Sequence, residues 1–181
     1  MSTLNKEEQL AVIKGQIKSY PDFPKKGVLF RDVFSVLQNP PIFQLLTDVL
    51  IETAKAIQPS VEVIAAVDSR GFLFGPLISL ALKIPFVPIR KKGKLPGEVM
   101  SHSYTKEYGE DTLQVQVGSI SKNSRVLVVD DLIATGGSLK GAVELIKKIG
   151  AKPVACLIVI ELEDLKGREG VTCDVISLLK Y

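Results

Sequence analysis

A chain of 181 residues, 46% of them hydrophobic, is long enough to bury a substantial core and too apolar to be disordered. Its net charge of +3 is too small to argue for nucleic acid as a partner. Two cysteines, Cys156 and Cys173, stand in apolar surroundings, which points to buried free thiols in a reducing compartment rather than a disulfide framework.

The polar start, Met1 to Leu10, lacks the apolar core of a secretory signal, so the expectation is a soluble, cytoplasmic protein. Residues 5 to 18 predict a helix with Leu10, Ile13 and Ile17 on one side. Tyr20 to Gly27, rich in Pro and Gly, predicts a loop. Ile42, Leu45, Leu46, Val49, Leu50 and Ile57 then recur at helical spacing, and Val61 to Val67 reads as a buried strand. Gly71 to Ile89 is long and almost uncharged, as a membrane span would be, but Lys83 interrupts it and Pro76, Pro85 and Pro88 break it. A buried helix to about Leu82 and a strand from Ile84 to Ile89 explain it better. No membrane partner is expected.

Residues 91 to 118 depart from the alternation. They are rich in Lys, Gly, Tyr and Ser, and Leu113, Val115 and Val117 alternate as in an antiparallel ribbon. A polar insertion of this length between core strands predicts a lid. Strands follow at Arg125 to Val129 and Pro153 to Glu161; the helix between them has Leu139, Ala142, Val143, Ile146 and Ile149 on one face. Strands alternating with helices predict one α/β domain over residues 1 to 181, with a central parallel sheet flanked by helices and ligands at the carboxyl ends of its strands.

The most informative stretch is VVDDLIATGGS, Val128 to Ser138. Thr135, Gly136, Gly137 and Ser138 put small residues and hydroxyls where a helix begins, and free N–H groups with a positive dipole end favour an anion there. Neither common nucleotide loop, GxxxxGK[ST] or GxGxxG, occurs. Asp130 and Asp131 do not suit that anion; they suit hydroxyls or a divalent metal on the same ligand. A phosphate, vicinal hydroxyls and a metal-bound group together describe a phosphorylated sugar. At a second strand end, Asp68-Ser69-Arg70-Gly71 is either a helix cap or an arginine aimed at a phosphate. Arg90, Lys91, Lys92 and Lys94 form a basic run that is either a solvated surface or a cationic rim.

The Val128 to Ser138 pattern resembles the 5-phosphoribosyl-1-pyrophosphate (PRPP) motif of the type I phosphoribosyltransferases. GVLFRD, DSRGFLFGP, IRKKGKLPGE, SYTKEYGED and LKGRE occur in the order shown by the adenine-specific members of that family. The resemblance runs from Tyr20 almost to the C-terminus. It implies the type I fold, with an N-terminal helix and small hood over about residues 1 to 35 and a flexible catalytic loop within about 91 to 118. It implies transfer of the 5-phosphoribosyl group from PRPP to adenine, giving AMP and pyrophosphate, as in purine salvage. It places Ala134, Thr135, Gly136, Gly137 and Ser138 at the 5′-phosphate, Asp130 and Asp131 at the ribose hydroxyls, and Ser69, Arg70, Arg90, Lys91 and Lys94 at the pyrophosphate. Leu29, Phe30 and Arg31 fall at the base, Glu107 and Arg70 take catalytic roles, and Tyr108 belongs to the lid. Mg²⁺ arrives with PRPP; no direct protein ligand is assigned, Asp130 being the candidate. A homodimer is implied as well.

Ala134 separates this reading from its nearest rival. The 6-oxopurine enzymes usually place an Asp at this position near the base nitrogen, and alanine cannot move a proton. A regulator that binds nucleic acid would be expected to show an added helix-turn-helix domain or a strong basic face. Lone His102 has no orienting partner or metal set nearby and reads as a surface residue.

Overall fold

The computed structural model describes residues 4–106 and 109–181, which fall into two compact units, residues 1–52 and 53–181. In the first unit, helix α1 (Lys6–Gln16) opens on a capping box: Asn5 accepts from the Glu8 N–H and the Glu8 carboxylate accepts from the Asn5 N–H. Ile13 and Ile17 are buried as the periodicity predicts. The helix ends two residues early, because Lys18–Pro21 forms strand β1, paired antiparallel with β2 (Leu29–Asp32). The sequence showed neither strand: β1 is exposed throughout and offers no alternation. Helices α2 (Phe34–Leu37) and α3 (Pro40–Lys55) follow, α3 running across the boundary between the units.

The second unit is built on a seven-stranded sheet. Its strands are β3 (Val63–Val67), β4 (Phe86–Lys91), β5 (Val99–Lys106), β6 (Gly109–Gln116), β7 (Arg125–Ile133), β8 (Lys152–Glu161) and β9 (Asp174–Lys180), in the order β5-β6-β4-β3-β7-β8-β9. The five strands from β4 to β9 in that order run parallel, and β6 and β5 continue the sheet antiparallel. The predicted ribbon therefore exists, and its root is part of the main sheet, with Arg90 opposite Gln114 and Lys91 opposite Leu113. β9 was not anticipated. Between the strands lie a 3-10 turn (Arg70–Leu73), helix α4 (Gly75–Leu82) and helix α5 (Gly137–Ile149). Leu139, Ala142, Val143 and Ile146 of α5 are buried with Val126 and Val128 of β7 in one core, and Ile149 packs at its edge.

Two strands run further than their apolar runs suggested. β4 continues through Arg90 and Lys91, and β7 continues through Asp130 and Asp131 to Ile133 because β8 pairs with it that far. The sheet order reverses between β3 and β7, and in such sheets the crevice beyond the strand ends at that point receives the ligand. Among the described residues no helix is long and apolar enough to cross a membrane. Both cysteines are free thiols, Cys156 buried and Cys173 half-buried, with their sulfurs 3.5 Å apart.

Candidate active site

Two loops meet at the reversal point. The first leaves β3 at Asp68, whose N–H donates to the Ile89 carbonyl (2.8 Å), and the Asp68–Ser69 peptide bond is cis. Ser69 makes no side-chain cap for the 3-10 turn, and the Asp68 carboxylate instead accepts from Arg90 Nε at 2.9 Å. The cap reading of this motif therefore gives way to an ion pair between two strand ends. Arg90 also donates to the Lys94 carbonyl (3.1 Å) and lies over the Phe72 ring. Three contacts thus fix a guanidinium that the sequence offered only as one charge in a run. Lys91 Nζ stands 3.7 Å from Asp111, with its side chain mostly exposed. Lys94 lies in the exposed turn beyond.

The same loop carries Arg70, whose Nε is 2.6 Å from Asp131 Oδ2. The carboxylate is buried and the guanidinium about one-third exposed, so the pair stands at the rim with its cation facing outward. Gly71 makes this approach feasible: a Cβ there would lie 2.6 Å from the Val129 carbonyl oxygen. Asp130 accepts the Asp131 N–H at 2.9 Å. Burial, reinforced by the neighbouring Asp131 charge, holds the Asp130 carboxyl well above the usual carboxylate range.

The second loop runs from Ile133 into α5. Gly136 is the N-cap, with φ +80°, and α5 begins at Gly137. The first N–H groups of the helix have no partner within it, since its ladder begins with the Lys140 N–H donating to the Gly136 carbonyl. Around them stand half-buried Ala134, exposed Thr135 and half-buried Ser138. Ser138 Oγ lies 3.1 Å from the Tyr104 hydroxyl on β5, and the Tyr104 ring lies against Gly141 of α5, where a Cβ would fall 2.7 Å from it. Tyr104 thus ties the ribbon to the anion loop, a role its sequence context did not signal.

The structure brings Ser69, Arg70, Arg90, Asp130 and Asp131 to adjacent strand ends, with the Ala134–Ser138 loop following β7. Leu29, Phe30 and Arg31 lie on β2 in the first unit. There Leu29 is exposed, Phe30 packs edge-on against Phe23, and Arg31 donates to Ser19 Oγ at 2.6 Å. Glu107 and Tyr108 lie outside the described residues. His102 sits on β5, half-buried and opposite Leu113.

An anion loop and an acid pair at the end of one strand, beside arginines from the ends of the next two strands, are the parts that a transferase of phosphorylated sugars requires. The phosphoribosyl transferase domain family matches residues 32–176 of the chain. Over the whole length of both proteins the chain is 48% identical to the adenine phosphoribosyltransferase of Drosophila pseudoobscura pseudoobscura. The adenine phosphoribosyltransferase of Saccharomyces cerevisiae, solved with adenine and D-2,5-dideoxy-2,5-imino-altritol 1,6-bisphosphate, superposes with a TM-score of 0.90. It is 41% identical, with 96% of this chain and 99% of that one covered. The Trypanosoma brucei enzyme, solved with AMP, pyrophosphate and ribose-5-phosphate, gives 0.87 at 33% identity, covering 98% of this chain and 82% of that one. The chain belongs to the adenine phosphoribosyltransferase family.

Proposed function

We propose that the crevice at the β3–β7 ends transfers the 5-phosphoribosyl group of PRPP to adenine, releasing pyrophosphate and forming AMP. The Arg70–Asp131 contact carries the reading of the residues, because it joins the loop suited to the leaving group to the strand suited to the sugar. The yeast and trypanosomal relatives, solved with adenine, AMP, pyrophosphate and ribose-5-phosphate, support the same substrates for this chain.

Each residue's part follows from the charge that develops. As the anomeric C–O bond breaks, the sugar ring gains positive charge and the departing pyrophosphate gains negative charge. Ser69, Arg70, Arg90, Lys91 and Lys94 receive the pyrophosphate; the ion pairs of Arg70 with Asp131 and Arg90 with Asp68 support this by restraining both guanidiniums at the strand ends. Asp130 and Asp131 hold the ribose hydroxyls, and the Asp131 carboxylate sets a negative field beside the ring. The 134–138 loop anchors the 5′-phosphate, and that remote binding energy positions the anomeric carbon for attack. Leu29, Phe30 and Arg31 take the base. Glu107 takes the adenine ring proton or stabilises the charge, while Tyr108 closes with it as part of the lid over residues 91–118 and excludes water.

Among the described residues no three His, Cys, Asp or Glu side chains form a metal cage. A site with one or two carboxylates suits Mg²⁺ that keeps its water and substrate-oxygen ligands, and Asp130 would be the candidate protein carboxylate. Mg²⁺ would supply charge neutralisation on the pyrophosphate. The proposal includes one domain over residues 1–181, a homodimer and residence in the cytoplasm, which rest on the family resemblance.

The test is a steady-state assay with PRPP and Mg²⁺ across adenine, hypoxanthine, guanine and orotate. Adenine is expected to exceed each of the others in kcat/KM by about 100-fold or more, as a site built to hydrogen-bond one base rejects bases lacking its donors and acceptors. Turnover of hypoxanthine with none of adenine would overturn the base assignment.

A further inference from the structure

The turn after β8 makes no part of the crevice as described, yet it grips the anion loop from behind. β8 ends at Glu161 opposite Ile133, the last residue of β7, and the Leu162 N–H donates to the Ile133 carbonyl at 3.0 Å. The chain then makes two short 3-10 turns, Glu163–Leu165 and Gly167–Gly170, hinged on Lys166 with φ +50°. This brings Gly167 onto the loop that follows β7. A Cβ at Gly167 would lie 2.2 Å from the Ala134 carbonyl oxygen and 2.9 Å from the Gly136 nitrogen, and one at Gly136 would lie 2.1 Å from the Gly167 carbonyl oxygen. The two backbones touch there, with the Ile133 side chain beside the contact, its Cγ1 2.9 Å from the same Gly167 Cβ position.

What holds the turn there is a fork. Arg168 Nε donates to Glu161 Oε1 at 2.6 Å and Nη2 to Oε2 at 2.5 Å. We infer that Glu161 and Arg168 are positioning residues for the sugar donor, a brace that presses Gly167 onto residues 134–136 and fixes the shape that receives the 5′-phosphate. The inference rests on the phosphoribosyl reading of the crevice. The Glu161 side chain is almost fully buried and its carboxyl is held down to about 2, first by the Arg168 hydrogen bonds, so the fork stays charged across the working pH range. A bidentate guanidinium sets direction as well as distance, which a single charge cannot do.

Arg168→Gln, Arg168→Lys and Glu161→Gln test the brace. KM is measured separately for PRPP and adenine, with calorimetric titration of PRPP and a melting curve for each variant. A misplaced anion loop is expected to raise the PRPP KM and Kd about tenfold for Arg168→Gln, leaving the adenine KM within about twofold. Arg168→Lys should recover only part of the loss, since it keeps the charge without the fork. An unchanged PRPP KM and Kd in folded Arg168→Gln, even with a lowered melting temperature, overturns the brace. Should Arg168→Gln fail to fold, Arg168→Lys decides by the same readout. A wild-type chain that does not bind PRPP overturns the functional reading itself; a wild type that binds PRPP, matched by its variants, overturns the brace alone.

Discussion

Arg70→Gln is expected to lower kcat/KM by about 10²–10³-fold, the usual effect of removing one preorganised donor to a developing negative charge. The structure adds a second consequence. Arg70 Nε lies 2.6 Å from the buried Asp131 carboxylate, so the substitution also leaves that carboxylate without its cation. An unsatisfied buried polar group costs about 1–3 kcal/mol, discounted toward the lower end because Arg70 is partly exposed. At about 2–4 °C per kcal/mol for a chain of this size, the melting temperature should fall by several degrees. Asp131→Asn keeps the shape and removes the charge, and should weaken PRPP binding more than it lowers kcat. Because the two side chains touch, the double variant should be less damaged than the product of the single effects, with a coupling of about 1–3 kcal/mol. Strict additivity in a double-mutant cycle would show that leaving-group and ribose contacts act independently.

Gly136→Ala should be nearly as damaging, for a reason that lies in the backbone. Its φ of +80° is one that L-residues avoid, costing about 1–2 kcal/mol. The larger obstacle is the Gly167 carbonyl, whose oxygen and carbon would stand 2.1 and 2.9 Å from the new Cβ. Both are main-chain atoms, so the anion loop must move. A displacement of about 1 Å at a positioning site costs on the order of 10²-fold in rate. The control is Gly150→Ala at the far end of α5, with a similar φ of +89° and only the flexible Lys122 side chain near the added carbon, at 3.4 Å. It should bear the conformational strain alone and retain full activity. Equal kinetic loss in the two variants would refute the packing argument.

The parts of this site written in contiguous residues were readable. Val126 to Val129 are consecutive buried apolar residues with Gly136 and Gly137 beyond them, so local pattern sufficed to place a strand, a small-residue loop and an amphipathic helix. The acids proved to be strand residues because pairing with β8 extends β7 to Ile133, and an Asp opposite Ile158 has no local signature as a strand. The ion pairs were not readable at all. Asp68 with Arg90 and Arg70 with Asp131 join strand ends distant in sequence, and their partnership depends on the sheet order β4-β3-β7. β1 was missed because four exposed residues carry no hydrophobic period. The mutual contact of Gly136 and Gly167 was hidden for a similar reason, since a glycine required by a neighbour's backbone looks like any other turn glycine.

Calorimetric titration of the wild-type chain with PRPP, with and without Mg²⁺ and with no base present, reaches the central claim most directly. It reads the acid pair, the anion loop and the arginine rim before any chemistry occurs. Saturable binding of one PRPP per chain that strengthens when Mg²⁺ is supplied is the predicted result. No affinity for PRPP in either condition, from a folded chain, would contradict the account whatever base the protein accepted.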